Sequence, residues 1–328
     1  MMTHEEFSKA RGGPWKNIHI RALGDALGAE VEAGELRRIT DAQFLEIRRA
    51  WLEHHVLRFR GLDFSDDDLV AFSRRFGDYQ PSTPNPHPAA RSDLPGSPSA
   101  PRIRQAPRDP RYPQVSVVSN IIDGGVALGT LGDGELVWHS DQSSFEAPPS
   151  ATLLYAIEVP PGQGRTGFLN AHLACEMLPA DLRRGIEGRR LKHDDSMDSS
   201  GYLRPGHAPV TDVRVSPGRY HPIICNHPET GRESLFLGRR PFAYIEGLDV
   251  AESEDLLNAL WAHLDQPQFV WRQEWERGDL IIWDNRSVMH QREAFDPNAR
   301  RLMHRVMIKG SRPVHLGGSA HRLRAGSI

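Results

Sequence analysis

Short apolar runs of strand length dominate the chain after residue 113. They are separated by Gly, Pro, Asn and Asp residues, and they comprise QVSVVSNI, ELVWHSD, ATLLYAIEV, TGFLNA, YHPIICNH, SLFLG, FVWRQEW, DLIIWDN and RLMHRVMIKG. Short apolar segments between turn residues predict strands, and many of them in one chain favour a β-sandwich or a jelly roll.

Helical spacing of apolar residues is found in fewer places. Near the N-terminus, DAQFLEIRRAWLEHH and a segment that begins at Ser65 with an acidic first turn predict helices, next to the short strands IHIRAL and VLRFR. Two later stretches, CEMLPADLRRGIEG and ESEDLLNALWAHL, interrupt the strands with further helices. The pattern therefore predicts an α+β fold that is mainly β, with a jelly-roll core and flanking helices.

The segment 81–113 differs from the rest in composition. It holds ten of the chain's 25 prolines and has no apolar periodicity, so it cannot form a packed core. Long segments of this kind tend to be lids, binding loops or disordered regions, and we favour a flap or contact arm over disorder for this one. We predict one catalytic domain over residues 1–328, with 81–113 as an insert and 311–328 as a tail.

Composition excludes several classes of protein. The net charge of −3 gives no basic surface of the kind that nucleic-acid binding needs. Cys175 and Cys225 are the two cysteines, and their spacing predicts neither a disulfide framework nor a zinc ribbon. The N-terminal residues lack an apolar signal segment, and no window has the roughly 18 apolar residues of a membrane span. We expect a cytoplasmic protein.

The triplet H-x-D occurs three times and is a candidate metal-binding motif. On a helix, residues i and i+2 point to nearly opposite sides, which argues against His263 and Asp265 in ESEDLLNALWAHLD. His193 and Asp195 follow an amphipathic segment in a polar stretch and are a weak rival. His139 and Asp141 lie at a predicted strand end, where side chains at i and i+2 share one face.

A second histidine, His290, completes a possible metal site with His139 and Asp141. Two imidazoles and one carboxylate form the facial triad that binds non-haem Fe(II) and leaves coordination positions open.

The last predicted strand carries two arginines on one face. In RLMHRVMIKG, the period of two places Arg301, Met303, Arg305 and Met307 on one face, and Leu302, His304, Val306 and Ile308 on the other. If the arginine face is the interior, the guanidinium groups require anionic partners, since burial of an isolated charge is very unfavourable. The alternative is that both arginines face solvent on an edge strand.

The chain resembles a known family in two long segments, WHSDQSSFEAPPSATLLYAIEVPPGQGRTGFLNA and WDNRSVMHQREAFDPNARRLMHR. They are similar to the iron- and 2-oxoglutarate-dependent dioxygenases of the taurine dioxygenase and 2,4-dichlorophenoxyacetate dioxygenase type. The resemblance covers nearly the whole chain except the Pro-rich insert and the tail. It implies a double-stranded β-helix, Fe(II) as the metal, 2-oxoglutarate and O2 as co-substrates, and release of succinate and CO2 with hydroxylation of a substrate.

Carried over by position, the resemblance implies a role for six residues. His139, Asp141 and His290 would bind the iron, and Arg301 with Thr166 would bind the distal carboxylate of 2-oxoglutarate. Arg305 matches the arginine that the taurine enzyme uses for its substrate's sulfonate. We therefore expect a small anionic substrate, which is a sulfonate, an aryloxyalkanoate or other carboxylic acid, or a natural-product intermediate. We also expect a homo-oligomer.

Two other classes of function remain open at this point. A jelly roll with these ligands could bind zinc as an isomerase or hydrolase, although it would not need Arg301 with Thr166. A non-catalytic binding protein would leave the order of the motifs unexplained.

Several conspicuous residues have structural interpretations. Asp284 and Arg286 are expected to brace the turn before His290, and His227 to lie in a turn without a ligand role. The remaining residues of this kind are expected to be structural: Trp138, Tyr155, His193, Trp283 and His304.

Overall fold

The computed structural model describes residues 3–81, 104–204 and 206–317. Most of the Pro-rich insert and the last part of the tail therefore lie outside the described residues.

Six α-helices occur in the described ranges. Their bounds are α1 His4–Ala10, α2 Asp41–His54, α3 Asp66–Arg74, α4 Ala171–Glu176, α5 Ala180–Ile186 and α6 Val250–Leu264. Thr40, Ser65 and Asp249 form capping boxes that satisfy the free amide groups at the starts of α2, α3 and α6. The helix predicted over CEMLPADLRRGIEG is wrong as a single element: it is split into α4 and α5 at Pro179, which lacks an N–H and disfavours helical backbone before it.

The strands are short, as the apolar pattern predicts. In the first half they are β1 His19–Ala22, β2 Ala29–Glu32, β3 Val56–Phe59, β4 Arg104–Gln105, β5 Ser116–Ser119, β6 Ile122–Asp123, β7 Val126–Ala127, β8 Thr130–Leu131, β9 Leu136–His139 and β10 Ala151–Glu158. In the second half they are β11 Thr166–Asn170, β12 Arg190–Asp194, β13 Gly218–Pro222, β14 Ile224–Asn226, β15 Glu233–Leu235, β16 Tyr244–Ile245, β17 Val270–Gln273, β18 Leu280–Asp284, β19 Val288–Arg292 and β20 Leu302–Ile308.

Two sheets form the centre of the molecule. The larger has eight strands in the order β1-β2-β3-β18-β10-β20-β5-β8, and the smaller has four in the order β17-β11-β19-β9. Strand β10 pairs antiparallel with β18 on one side and with β20 on the other. Its first six residues are all buried, because both faces of the larger sheet are covered there.

Alternate residues of the larger sheet enter two different apolar layers. Leu153 and Val306 pack with Trp51 and Leu69 from α2 and α3, on the outer side of the sheet. Leu154, Trp283 and Met303 pack with Phe168 and Val288 of the smaller sheet. The two sheets therefore enclose an interior between them, and inward-facing polar residues of their strands meet there.

The outer face of the smaller sheet has its own apolar layer. Met289 of β19 packs there with buried side chains of α4 and α6, which include Ala174, Leu257 and Leu260. The architecture is thus mixed α/β with mostly strands, as predicted.

Candidate active site

His139, Asp141 and His290 meet in the interior between the two sheets. His139 is the last residue of β9, and His290 is its directly paired neighbour on β19, so the two side chains share one face. Their ring centroids are 4.1 Å apart, and His290 Nε2 lies 3.9 Å from Asp141 Oδ1. One ligand atom from each residue can be chosen so that all lie within 4.8 Å of one another. The structure brings together the three residues predicted from the motif.

The protonation states of this cluster suit a cation. Burial, together with the neighbouring His139, lowers the pKa of His290 to about 3, and burial lowers the pKa of His139 as well. Burial alone would raise the pKa of Asp141, but His290, Arg305 and His139 lower it below its usual value. His139 Nδ1 donates to Val137 O at 2.7 Å, which leaves its Nε2 lone pair free. Two neutral imidazoles and one carboxylate are a donor set for a divalent metal ion.

A chain of buried hydrogen bonds holds the Asp141 carboxylate in place. Thr152 Oγ1 donates to Asp141 Oδ2 at 2.7 Å and accepts from Asn285 Nδ2 at 2.8 Å. Trp283 Nε1 in turn donates to Asn285 Oδ1 at 2.9 Å, and its ring lies 4.7 Å from that of His290. The carboxylate is therefore oriented before any ion binds.

The triad opens on a cavity of about 600 Å³. His139 and Asp141 line it, as does Arg305, whose Nη1 is 3.6 Å from Asp141 Oδ1. Gln105 to Asp109, at the described end of the Pro-rich insert, line the same cavity. The described end of the insert thus borders the site, and the role of segment 81–113 as a flap or contact arm stays a prediction.

Arg301 and Thr166 form a second polar cluster in the interior. Both are buried, and both lie beside Trp275, whose Nε1 donates to Thr166 Oγ1 at 2.9 Å. The Arg301 guanidinium carbon is 6.0 Å from the Trp275 ring. Neither residue lines the larger cavity, so this buried cluster is separate from that lining. The alternation predicted for the last strand is confirmed, since Met303 packs in the interior while Val306 and Ile308 pack against the helices.

The rival H-x-D triplets do not form metal sites. In the ranges the structure describes, the His139 cluster is the one group with suitable geometry. His263 lies on α6, where its Nε2 bonds to Ala174 O. His193 is a buried residue of β12, not part of a polar loop, because Phe236 and His221 pack against its ring.

A buried charged network behind β18 is larger than the sequence suggested. Arg286 contacts Asp284 as expected, but its Nη1 also donates to Glu229 Oε1 at 2.7 Å, and Arg48 contacts the same carboxylate. His227, interpreted as a simple turn residue, donates from Nε2 to Asp284 Oδ2 at 2.9 Å and has no place in the metal cluster. Nothing in the local sequence links residues so far apart in the chain.

Four further predictions concern single side chains. Tyr155 and Trp283 are buried in the core, and Trp138 packs partly buried against the helical layer. His304 faces α3 and bonds to Asp66 through Nδ1 at 2.6 Å. Each is consistent with a structural role.

No helix in the described part of the chain is long and apolar enough to cross a membrane.

The sequence matches a family of known enzymes over most of its length. A family model described as "Taurine catabolism dioxygenase TauD, TfdA family" matches residues 19–307. The chain belongs to this family.

Individual relatives agree with that membership. The dioxygenase is 33% identical over 298 residues to the alpha-ketoglutarate-dependent 2,4-dichlorophenoxyacetate dioxygenase of Cupriavidus pinatubonensis, covering 88% of this chain and 97% of the relative. It is 31% identical to pentalenolactone F synthase of Streptomyces avermitilis, covering 88% and 92%. A solved structure of AAD-2 in complex with Mn(II) and N-oxalylglycine superposes with a TM-score of 0.70 at 26% identity, covering 92% of this chain and all of that one. The predicted 2-oxoglutarate-dependent oxygenase class is confirmed, and the two alternative classes are set aside.

Proposed function

We propose that the dioxygenase binds Fe(II) through His139, Asp141 and His290 and hydroxylates a small anionic organic substrate with 2-oxoglutarate and O2 as co-substrates. The observation that carries this proposal is the triad itself, whose ligand atoms lie within 4.8 Å of one another at the wall of a large cavity. The solved relative with Mn(II) and N-oxalylglycine supports binding of a divalent cation by this fold.

The proposed site residues have separate roles in the reaction. Bound iron supplies the oxidising chemistry, in which 2-oxoglutarate is decarboxylated to succinate and CO2 and one oxygen atom is inserted into a C–H bond of the substrate. His139, Asp141 and His290 would hold the metal, and the cavity lined by His139 and Asp141 would admit the co-substrates and the substrate. Arg301 and Thr166 bind the distal carboxylate of 2-oxoglutarate, and a fixed guanidinium orients a carboxylate as well as attracting it.

We assign the two facing sheets to a double-stranded β-helix and the whole chain, 1–328, to one catalytic domain. The support is that each sheet contains strands from both halves of the sequence, and that β3, β18, β10, β20 and β5 alternate between the halves in the larger sheet. A homo-oligomer in the cytoplasm is also our expectation, and gel filtration with light scattering would test the oligomeric state.

Arg305 is the basis of the proposed substrate class. Its guanidinium borders both Asp141 and the cavity, so an anionic group of a substrate could pair with it close to the metal. The relatives named above comprise a 2,4-dichlorophenoxyacetate dioxygenase and a pentalenolactone F synthase. An aryloxyalkanoate or another carboxylic acid, a sulfonate, and a natural-product intermediate are therefore the classes to screen.

A binding experiment tests the proposed function. Metal-free protein receives Fe(II) and 2-oxoglutarate without oxygen, and the weak visible charge-transfer band of the chelate is recorded. We expect the band in the wild type and its loss in His139→Ala. Absence of the band in the wild type, or its persistence in the variant, contradicts the assignment.

A substitution tests the role of Arg305. Arg305→Ala should raise the KM for an active organic acid by about 10-fold or more, since a hydrogen-bonded charge pair contributes roughly 1.5–3 kcal/mol. Because Arg305 also lies near Asp141, Fe(II) affinity is measured in the same variant, and 2-oxoglutarate binding should remain largely intact. An unchanged substrate KM would remove the basis for an anionic substrate.

A further inference from the structure

A second buried arginine, Arg292, lies beside the polar cluster of Arg301 and Thr166. It is the last residue of β19, two positions after His290, so both side chains enter the interior. Its paired neighbour across the sheet is Thr166 on β11, and paired residues share a face. The Arg292 and Thr166 side chains therefore lie on the same face of the sheet.

The Arg292 guanidinium is held at one end and free at the other. Its Nη2 donates to the carbonyl oxygens of Leu131, at 3.2 Å, and Gly134. Its Nε and Nη1 are buried and have no hydrogen-bond partner among the residues described. Arg301 Nε is also buried without a partner in those ranges. The cluster of Thr166, Arg292 and Arg301 thus contains N–H donors of two arginines that have no hydrogen-bond partner in the described ranges.

Both guanidinium groups lie near the same aromatic ring. The guanidinium carbon of Arg292 lies 5.2 Å from the centroid of the Phe295 ring, and that of Arg301 lies 5.9 Å from the same centroid. Arg292 and Arg301 are only 3% and 2% exposed, and neither takes part in an ion pair within the described ranges. Two buried cations therefore lie near Phe295, which does not neutralise them.

Two buried guanidinium groups without an anionic partner are electrostatically unfavourable. Burial and the charge of Arg292 lower the pKa of Arg301 well below its usual value. An anion beside both groups would offset their repulsion and satisfy the free N–H donors.

We propose that Arg292 is a second arginine ligand, with Arg301, of the distal carboxylate of 2-oxoglutarate. This inference rests on the proposed function and adds a residue to the co-substrate pocket. It also gives that pocket a connection to the substrate cavity, because Leu131, whose carbonyl Arg292 binds, lines the cavity.

The test separates the distal carboxylate from the rest of the co-substrate. Fe(II)-loaded protein without oxygen is titrated with 2-oxoglutarate and with 2-oxovalerate, which has the same chain length and metal-binding end but no distal carboxylate. The variants are Arg292→Gln, which is neutral, and Arg292→Lys, which keeps the charge. Arg272→Gln is the matched control, since Arg272 is an exposed residue of β17 in the same sheet.

We expect Arg292→Gln to raise the Kd of 2-oxoglutarate by about 10-fold to 100-fold, as loss of a charge-assisted hydrogen bond implies. The Kd of 2-oxovalerate should stay within about 2-fold, because that ligand has no group for Arg292 to bind. Arg292→Lys should give an intermediate Kd for 2-oxoglutarate, and Arg272→Gln should match the wild type.

Two outcomes would overturn the proposal. Equal weakening of both ligands in Arg292→Gln would show a purely structural role, and unchanged affinity for 2-oxoglutarate would show no role. If Arg292→Gln does not fold, Arg292→Lys decides, and an unchanged ratio of the two Kd values then overturns the proposal. Failure of the wild type to bind 2-oxoglutarate would instead contradict the proposed function.

Discussion

Neighbouring side chains fix the orientation of the Asp141 carboxylate in the candidate metal site. One of its oxygens accepts from Thr152, which is fixed by Asn285, and Asn285 is fixed by Trp283. The other oxygen faces His290 and Arg305. Hydrogen bonds behind a metal ligand commonly increase metal affinity, because they remove the cost of orienting the ligand.

Thr152→Val should weaken Fe(II) or Mn(II) binding by about 10-fold to 100-fold, since it leaves Asp141 Oδ2 and Asn285 Nδ2 without a partner. Titration of metal-free protein with Mn(II), followed by electron paramagnetic resonance, measures the effect. Thr152→Ser keeps the hydroxyl and should bind metal like the wild type. Equal affinities in the valine variant and the wild type would show that this hydrogen bond is dispensable.

Residue spacing in the sequence predicted part of the site. It could not predict contacts between residues on different strands. His139 and Asp141 followed from the two-residue period of a strand end, and Arg301 with Arg305 from the same period in the last predicted strand. Thr152 and Asn285 carry no such pattern, because their contact depends on the pairing of β10 with β18. Arg292 was missed for the same reason, since its pairing with Thr166 appears only in the folded sheet.

Among the elements, the connection after β15 supports the loop that carries Asp141. Gly238 has a φ of 62°, and its carbonyl accepts from Ser140 N at 3.1 Å. A Cβ atom at Gly238 would overlap the ring of His193. Only glycine fits there, because the backbone is left-handed and the side-chain space is filled.

Gly238→Ala should therefore destabilise the protein by about 1–3 kcal/mol more than Gly247→Ala, the difference being the cost of overpacking. Gly247 is the control because its φ is 83° and a Cβ there would meet nothing within 4 Å. Urea unfolding monitored by circular dichroism compares the two variants. Similar losses of stability in both variants would mean that His193 moves away from the new Cβ atom without a measurable loss of free energy.

Most strands were predictable because their apolar runs are bounded by turn residues. Strand β19 was not, because VMHQR mixes polar and apolar residues. Its burial comes from the interior on one face and the helical layer on the other, which is tertiary information. Similarly, β12 carries the polar sequence RLKHD and is buried almost throughout. Lys192 and Asp194 form hydrogen bonds there within the fold, and the His193 ring packs against Phe236, so these polar residues are buried and not exposed to solvent.

In the molecule as a whole, three buried histidines connect α2, α4 and the segment after β14. The ring centroids of His55 and His172 are 5.1 Å apart, and those of His172 and His227 are 5.7 Å apart. Burial and Arg232 lower the pKa of His55 to about 3, and burial lowers those of His172 and His227. All three rings are therefore neutral in the folded protein near neutral pH.

Stability should fall with acidification below about pH 6.5, the usual pKa of histidine in an unfolded chain. There the unfolded chain binds protons that the folded protein does not, so the free energy of unfolding decreases by up to about 1.4 kcal/mol per pH unit for each histidine. Urea unfolding of metal-free protein between about pH 7.5 and 5.5 measures the slope. His172→Asn, which keeps a donor for Glu233 O, should have a shallower slope. Identical slopes in both proteins would contradict this account.

The end of the Pro-rich insert has a consequence for how new activities could arise in this chain. Gln105 to Asp109 border the cavity, yet they belong to neither central sheet and supply no metal ligand. Replacement of this segment would alter the shape and polarity that an incoming molecule meets, while the proposed metal ligands and Arg301 stay as they are. This part of the cavity lining can therefore diverge in sequence without any change in the residues that we propose bind the metal and the co-substrate.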